Sequence, residues 1–273
     1  MYHSINDKRF FMPESTGLRI PKYKFEKQIK YLKKNYNIIP VDLIRTNKIK
    51  SIKYKCIVTF DDGFKDNYTN AFPVLKKYGV PAIIFIINKS LSAVNWCHHI
   101  FFILSKVSET ELISYLKKED YQFKDFYEFE KYLLSIGIKN RLNIVNKIAK
   151  KFNIYPEPKD IYLTMPEIYK MMKYNISFGS HSNYHSDLTY LSYADLELEL
   201  KGISKCCSIP LKGFAYPFTS FNKKVKNTIK NKTDFAMSGG QKLSHLDDFY
   251  DIPRIFITNS SIYRFACHCE GIF

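Results

Sequence analysis

The 273-residue chain has no C-x-x-C pair, no internal repeat and no low-complexity segment. It also lacks any run approaching the roughly 18 apolar residues of a membrane-spanning helix, so no transmembrane helix is expected. Its six cysteines are Cys56, Cys97, Cys206, Cys207, Cys267 and Cys269. Their spacing does not make a structural zinc site, because Cys267-His268-Cys269 has no second pair to complete it. Cys56 sits in an apolar run and reads as a small core residue. Reduced thiols account for the pattern. Met1-Tyr2-His3-Ser4 has no basic stretch leading into an apolar core and does not read as a signal peptide. The expected setting is therefore cytoplasmic or membrane-peripheral, unless the true N-terminus lies upstream and this one is truncated.

Acidic residues are scarce. There are 26 Asp and Glu against 42 Lys and Arg, a formal charge of +16. The lysines are scattered (Lys27, Lys30, Lys33, Lys34, Lys48, Lys53) and no nucleic-acid module signature is visible. The expectation is a solvated basic surface with no nucleic-acid partner, open to peripheral membrane contact.

What is present is a core. Hydrophobic residues make up 45% of the chain, enough for one large domain over residues 1–273. Tyr23 to Tyr36 has apolar residues at helical spacing. Cys56 to Phe60 is a short apolar run delivering Asp61-Asp62-Gly63 at its end, the pattern of a buried strand. A helix from about Asn67 to Lys77 follows, with Pro73 kinking it or delaying its start and Gly79 as its cap. Pro81 to Ile87 is the next buried strand. Strand, helix, strand in this order predicts a parallel α/β unit.

From about residue 95 to 155 the pattern is helical, with Glu109 to Lys118 and Asn140 to Phe152 as clear segments. This predicts a helical insertion. Thr164-Met165-Pro166-Glu167 resembles a capping box opening a helix through Met172. Ile176 to Ser180 reads as a strand running into His181, and Ser192 to Lys205 as a helix. Phe214 to Phe218, Phe235 to Met237 and Ile255 to Ile257 read as further strands. Repeated β/α units with polar residues at strand ends predict a (β/α) barrel, with its chemistry at that face.

Two clusters carry that chemistry. Asp61 and Asp62 are adjacent carboxylates at a strand end, and their repulsion needs an offset that a divalent metal supplies. An Asp N-cap is the plain alternative. His181 and His185 stand at i and i+4, a spacing that places both imidazoles on one face of a helical turn and recurs among zinc ligands. Two surface histidines are the plain alternative there. One carboxylate and two imidazoles leave coordination positions open, as catalytic sites require.

Around these clusters the sequence resembles the polysaccharide deacetylase family. Ile57-Val58-Thr59-Phe60-Asp61-Asp62-Gly63-Phe64 is similar to its first motif, and Gly179-Ser180-His181-Ser182-Asn183-Tyr184-His185 with Leu188-Thr189 to its second. Phe214-Ala215-Tyr216-Pro217-Phe218 resembles its third, and Asp251-Ile252-Pro253-Arg254-Ile255 its later Arg-bearing segment. The resemblance implies a distorted (β/α) barrel that removes acetyl groups from N-acetylated sugars, less often from O-acetyl sites. It implies Asp61 as general base, and Asp62, His181 and His185 as ligands of a divalent metal. Zinc is the first expectation, with cobalt, nickel or manganese as alternatives. The Phe218 N–H is the corresponding oxyanion donor.

Three positions depart from the family pattern. Ala215 stands where many members carry an Arg that orients the base, and Arg254 is expected to replace it. Thr219 stands where Gly is usual. No Leu-x-His follows Arg254, but Met1-Tyr2-His3 resembles a branch whose general acid lies at the N-terminus, which assigns that role to His3. A surface histidine is the alternative reading of His3.

Tyr184 and Tyr216 are expected as rings that stack on sugar faces, with core packing as the alternative. His98 and His99 read as packing or rim, and His245 receives no role. The expected substrate is an N-acetylated glycan of the cell surface or its lipid-linked precursor. Competing readings are a barrel amidohydrolase acting on a small C–N substrate and an inactive glycan-binding module.

Overall fold

The computed structural model describes residues 1–7, 17–206, 208–240 and 247–272. His245 and Cys207 lie outside the described residues. Five short strands form one parallel sheet: β1 (Val58–Phe60), β2 (Ala82–Ile86), β3 (Ile176–Ser180), β4 (Phe214–Ala215) and β5 (Ala236–Met237). They lie side by side in chain order. Such a sheet curls towards a barrel, and β2, an interior strand, is apolar on both faces because both are covered.

The gap between β1 and β5 is closed by single bridges. The Tyr2 N–H donates to Thr59 O at 2.9 Å, and the Asp61 N–H to Tyr2 O at 2.9 Å. The Ile257 N–H donates to Met1 O at 3.1 Å, and the Met1 amino group to Ile255 O at 2.8 Å. On the far side Ile252 bridges Met237, and Ile255 bridges Gly240. The expected distorted (β/α) barrel is present. The strand predicted at Ile255 to Ile257 is reduced to these bridges, because Pro253 offers no N–H and the Arg254 side chain turns inward.

The helices around the sheet include α1 (Lys22–Asn35), α2 (Phe72–Tyr78), α3 (Trp96–Leu104), α4 (Glu109–Lys118), α5 (Phe126–Ser135), α6 (Ile138–Phe152), α7 (Met165–Met172), α8 (Tyr193–Glu199), α9 (Lys223–Lys230) and α10 (Ile262–Cys269). Helix α1 buries the stripe Phe25, Ile29 and Leu32. A π-turn over Asn67–Ala71 precedes α2, and Pro73 falls in the first turn of α2, where its missing N–H costs nothing. Helices α3 to α6 pack round their own apolar core, including Ile103, Leu112, Phe129 and Ile148. Helix α7 opens on the capping box between Thr164 and Glu167.

Three predicted elements are shorter than expected. The Cys56 to Phe60 run is divided: Lys55–Cys56 pairs with Asn37–Ile38, while Val58–Phe60 pairs with β2. Helix α8 ends at Glu199, not Lys205, and the chain turns at Gly202 into a hairpin of Lys205–Cys206 with Ile209–Pro210. Strand β4 stops at Ala215, because Pro217 starts a tight turn over Pro217–Thr219.

Candidate metal centre and catalytic pocket

Asp61 and Asp62 leave the C-terminal end of β1 and are both buried. Successive strand residues point to opposite faces, so a turn is needed to bring both carboxylates to one site. Asp62 and Gly63 supply it with φ of 69° and 68°. Asp tolerates this left-handed region better than most residues. Gly63 is required on two counts: its φ, and a Cβ there would meet Ile86 Cγ2 at 2.7 Å.

Arg254 grips Asp61 with both arms of its guanidinium, Nη1 to Oδ1 at 2.6 Å and Nη2 to Oδ2 at 2.8 Å. Its Nε donates to Ser238 O at 3.0 Å, which fixes the fork. Burial pushes the Asp61 pKa up, but the charge and the hydrogen bonds of Arg254 outweigh it and hold the carboxyl below the usual range. Asp61 is thus held ionised.

Asp62 is the opposite case. Burial and the neighbouring Asp61 charge hold its pKa well above the usual range. Among the described residues its Oδ1 has no hydrogen-bond partner, though it lies 3.7 Å from His181 Nε2 and 3.4 Å from His185 Nε2.

The two imidazoles come together with ring centroids 4.8 Å apart, but not on a helical turn. Residues 181–185 form a loop with Ser182 and His185 at positive φ. Spacing predicted that the two rings lie together, and they do, but on a loop and not on a helical turn. The cause is Glu199 at the end of α8. Its carboxylate accepts from the N–H groups of Asn183 (3.0 Å), Tyr184 (2.7 Å) and Ser186 (3.2 Å), replacing the bonds a helix would make. Arg141, buried on α6, donates to Ser186 Oγ at 2.8 Å and braces the same loop. Neither Glu199 nor Arg141 carried a sequence signal beyond a charged residue in an amphipathic helix. Glu199→Ala strands three N–H groups, and denaturant unfolding should show a loss of roughly 3 kcal/mol or more. A wild-type midpoint would refute the scaffold role.

The His181 Nδ1 faces Ala215 O at 2.8 Å. A carbonyl only accepts, so Nδ1 carries the proton and Nε2 presents its lone pair to the centre. Ala215 therefore serves through its backbone, while Arg254 reaches the base from another segment. Burial lowers the pKa of both His181 and His185, which keeps them neutral as ligands must be.

His3 borders this group. Its backbone carbonyl accepts from Asn67 Nδ2 at 2.7 Å, and Asp66 pins the next residues through Ser4 Oγ (2.5 Å) and Ile5 N (3.2 Å). Desolvation lowers the His3 pKa to about 4, with the Asp61 charge opposing. Phe218 has φ 53° and packs its ring 4.6 Å from that of His185 at the mouth of the site. Thr219 follows with φ 57°, a conformation that favours glycine. Gly239 makes room for it: a Cβ at Gly239 would meet Thr219 Cγ2 at 2.2 Å.

Tyr216 does not line the site. It is fully buried, stacks on Phe221 and donates to Tyr250 O at 2.9 Å. Alternation along β4 turns it into the core. Tyr184 is partly exposed on the histidine loop, next to Trp96 and Arg141. His99 bonds Ile154 O at 3.0 Å and is structural. His98 departs from the packing-or-rim expectation: it is buried with Nε2 3.7 Å from Asp62 Oδ2.

The donor set fits a metal. The ligand atoms of Asp62, His181 and His185 lie within 4.8 Å of one another, and Asp62 Oδ1 is a buried oxygen lacking a partner. A cation there removes the carboxylate repulsion that otherwise raises the Asp62 pKa.

The sequence profile of the polysaccharide deacetylase family matches residues 48–235, which include both strand-end clusters. The chain belongs to the polysaccharide deacetylase family. The chain is 42% identical over 95 residues to YxkH of Bacillus subtilis (strain 168), whose name places it in the same family. That match covers 33% of this chain and 32% of YxkH, so the similarity spans about a third of that relative. The chain is 26% identical over 276 residues to the poly-beta-1,6-N-acetyl-D-glucosamine N-deacetylase of Staphylococcus aureus (strain MSSA476), covering 98% of this chain and 78% of that one. The deacetylase PplD of Streptococcus pyogenes, solved with acetate, shares the fold at TM-score 0.63 and 18% identity over 95% of this chain and 91% of its own. Among the described residues, no helix is long and apolar enough to cross a membrane.

Proposed function

We propose that this chain is a metal-dependent hydrolase that removes acetyl groups from N-acetylated sugars of a surface polysaccharide or its lipid-linked precursor. One observation carries the reading: a buried Asp-His-His donor set with an unpartnered carboxylate oxygen lies beside a carboxylate that an arginine holds ionised. The name of the staphylococcal relative supports a polymer of β-1,6-linked N-acetylglucosamine as substrate. A formal charge of +16 favours approach to anionic envelope surfaces.

In this reading Asp62, His181 and His185 hold a divalent cation, zinc by its donor set, with cobalt, nickel or manganese as alternatives. The bound cation supplies Lewis acidity that polarises the acetyl carbonyl and acidifies the attacking water. Asp61 takes a proton from that water as its oxygen bonds to the acetyl carbon. The Phe218 N–H donates to the developing oxyanion. His3 delivers a proton to the amine nitrogen as the C–N bond breaks, leaving acetate and a free amino sugar. In the free chain His3 is neutral, and the anionic charge that develops beside it raises its affinity for the proton it must carry. Tyr184 is the remaining aromatic candidate for stacking on a sugar face.

Acetate release over a panel of acetylated glycans, with and without chelator, tests the reading. Activity on β-1,6-linked N-acetylglucosamine oligomers that chelator abolishes and zinc restores is expected, with His3→Ala depressing turnover. Chelator-insensitive release, or hydrolysis confined to small amides, overturns the reading. Unchanged turnover in His3→Ala removes His3 alone.

A further inference from the structure

The helical insertion brings two neighbouring side chains to the metal centre: Cys97, whose Sγ lies 3.9 Å from His185 Nδ1, and His98, which sits at the end of a chain of polar contacts. Helix α3 begins at Asn95, whose side chain accepts from Cys97 N–H at 3.0 Å and donates to Tyr184 O at 2.7 Å. Asn95 thereby fastens the start of the helix to the histidine loop. His98 lies on the first turn of α3 and is buried. Its ring is boxed by Phe64 (centroids 4.8 Å apart) and Tyr162 (5.5 Å), and these two stack on each other. These contacts confine the plane of the ring.

Two contacts of Tyr162 bear on the His98 tautomer. The Asn95 N–H donates to Tyr162 Oη at 3.1 Å. The same hydroxyl lies 2.5 Å from His98 Nδ1 and can donate its hydrogen there. An imidazole that accepts at Nδ1 carries its proton at Nε2. Nε2 faces Asp62 Oδ2 at 3.7 Å. The two oxygens of Asp62 are thus divided: Oδ1 faces His181 and His185, and Oδ2 faces His98. His98 stands outside the group of ligand atoms that lie within 4.8 Å of one another.

We propose that His98 is a positioning residue for the metal: its Nε2–H, set by the Asn95–Tyr162 relay, holds Asp62 Oδ2 so that Oδ1 alone is presented to the cation. This rests on the metal-site reading above. It also gives the insertion a part in the chemistry, since removing α3 would free the Asp62 carboxylate to rotate. Groups that orient a metal ligand typically change metal affinity by about 10–100-fold when removed.

The test measures zinc affinity of the chelator-stripped protein by competition with a chromophoric chelator, together with the visible spectrum of the cobalt-loaded form. His98→Phe is expected to weaken zinc binding by about 10–100-fold and to alter the cobalt bands. His98→Gln, which returns an N–H near the same place, is expected to restore affinity to within about threefold of wild type. Wild-type affinity in His98→Phe, or equal losses in both variants, overturns the proposal. Should His98→Phe fail to fold, Tyr162→Phe decides, because it keeps the ring and deletes only the hydroxyl that sets the tautomer. Weaker zinc binding there supports the relay, and unchanged binding overturns it. Asp62→Asn separates the two levels: if it binds zinc as wild type does, the metal site itself is misassigned.

Discussion

Asp61→Asn is expected to lower acetate release by about 10²–10⁴-fold while the protein still binds its metal. The amide has nearly the same shape as the carboxylate but cannot take a proton from water. The putting-in of a neutral group has two opposed effects on the cation. One nearby anion is lost, yet Asp62 becomes easier to ionise, because the Asp61 charge is one of the causes that raise its pKa. Metal content by atomic absorption, read beside acetate release, separates loss of the base from loss of the cation. Turnover at the wild-type rate would remove Asp61 from the mechanism.

Arg254→Ala should produce the second-largest effect, and it should appear in three measurements. The guanidinium is what holds Asp61 ionised against burial. Without it, desolvation acts alone and the Asp61 pKa rises. The acid limb of the kcat/KM profile then moves to higher pH, and turnover at neutral pH falls, by about 10²-fold or more. Unfolding free energy should fall by about 3–5 kcal/mol, because a buried carboxylate loses its partner. The sign of the wild-type contribution follows from the depressed pKa. The ion pair stabilises the fold fully above the usual carboxylate range, and that stability is lost as pH falls towards the folded-state value. Arg254→Lys should fall between, since one ammonium cannot reproduce the two-armed contact. Full activity with an unshifted acid limb in Arg254→Ala would show that the base is set by something else.

Parts of this site are legible in the sequence because they are local. Asp61-Asp62-Gly63 follows its apolar strand directly, and the strand-end turn that brings both carboxylates to one side depends on residues 62 and 63 themselves. The capping box of α7 and the helical insertion are likewise statements about neighbours in sequence. Misreadings arose where a local pattern had a non-local competitor. The His181–His185 spacing suggested a helical turn, but Glu199 takes the N–H groups that a helix needs. The Leu-bearing pattern after Ser192 suggested a longer helix, but Glu199 is drawn inward and the chain reverses at Gly202. Tyr216 suggested a stacking ring, but it points into the core.

The sequence by itself determined the strand-end clusters and the parallel α/β order, which residue type and spacing encode. The resemblance to the family's motifs, not spacing, singled out Asp62 from Asp61 as the candidate ligand beside His181 and His185. Only the tertiary structure decided what state those side chains are in. Asp61 is ionised because Arg254, 193 residues away, closes on it. His181 offers Nε2 because the Ala215 carbonyl, 34 residues on, occupies Nδ1. Asp62 is flanked on its far oxygen by His98 because α3 packs against the barrel. Protonation and tautomer depend on burial and on neighbours that meet only when the barrel closes, and the order of residues along the chain does not contain those distances.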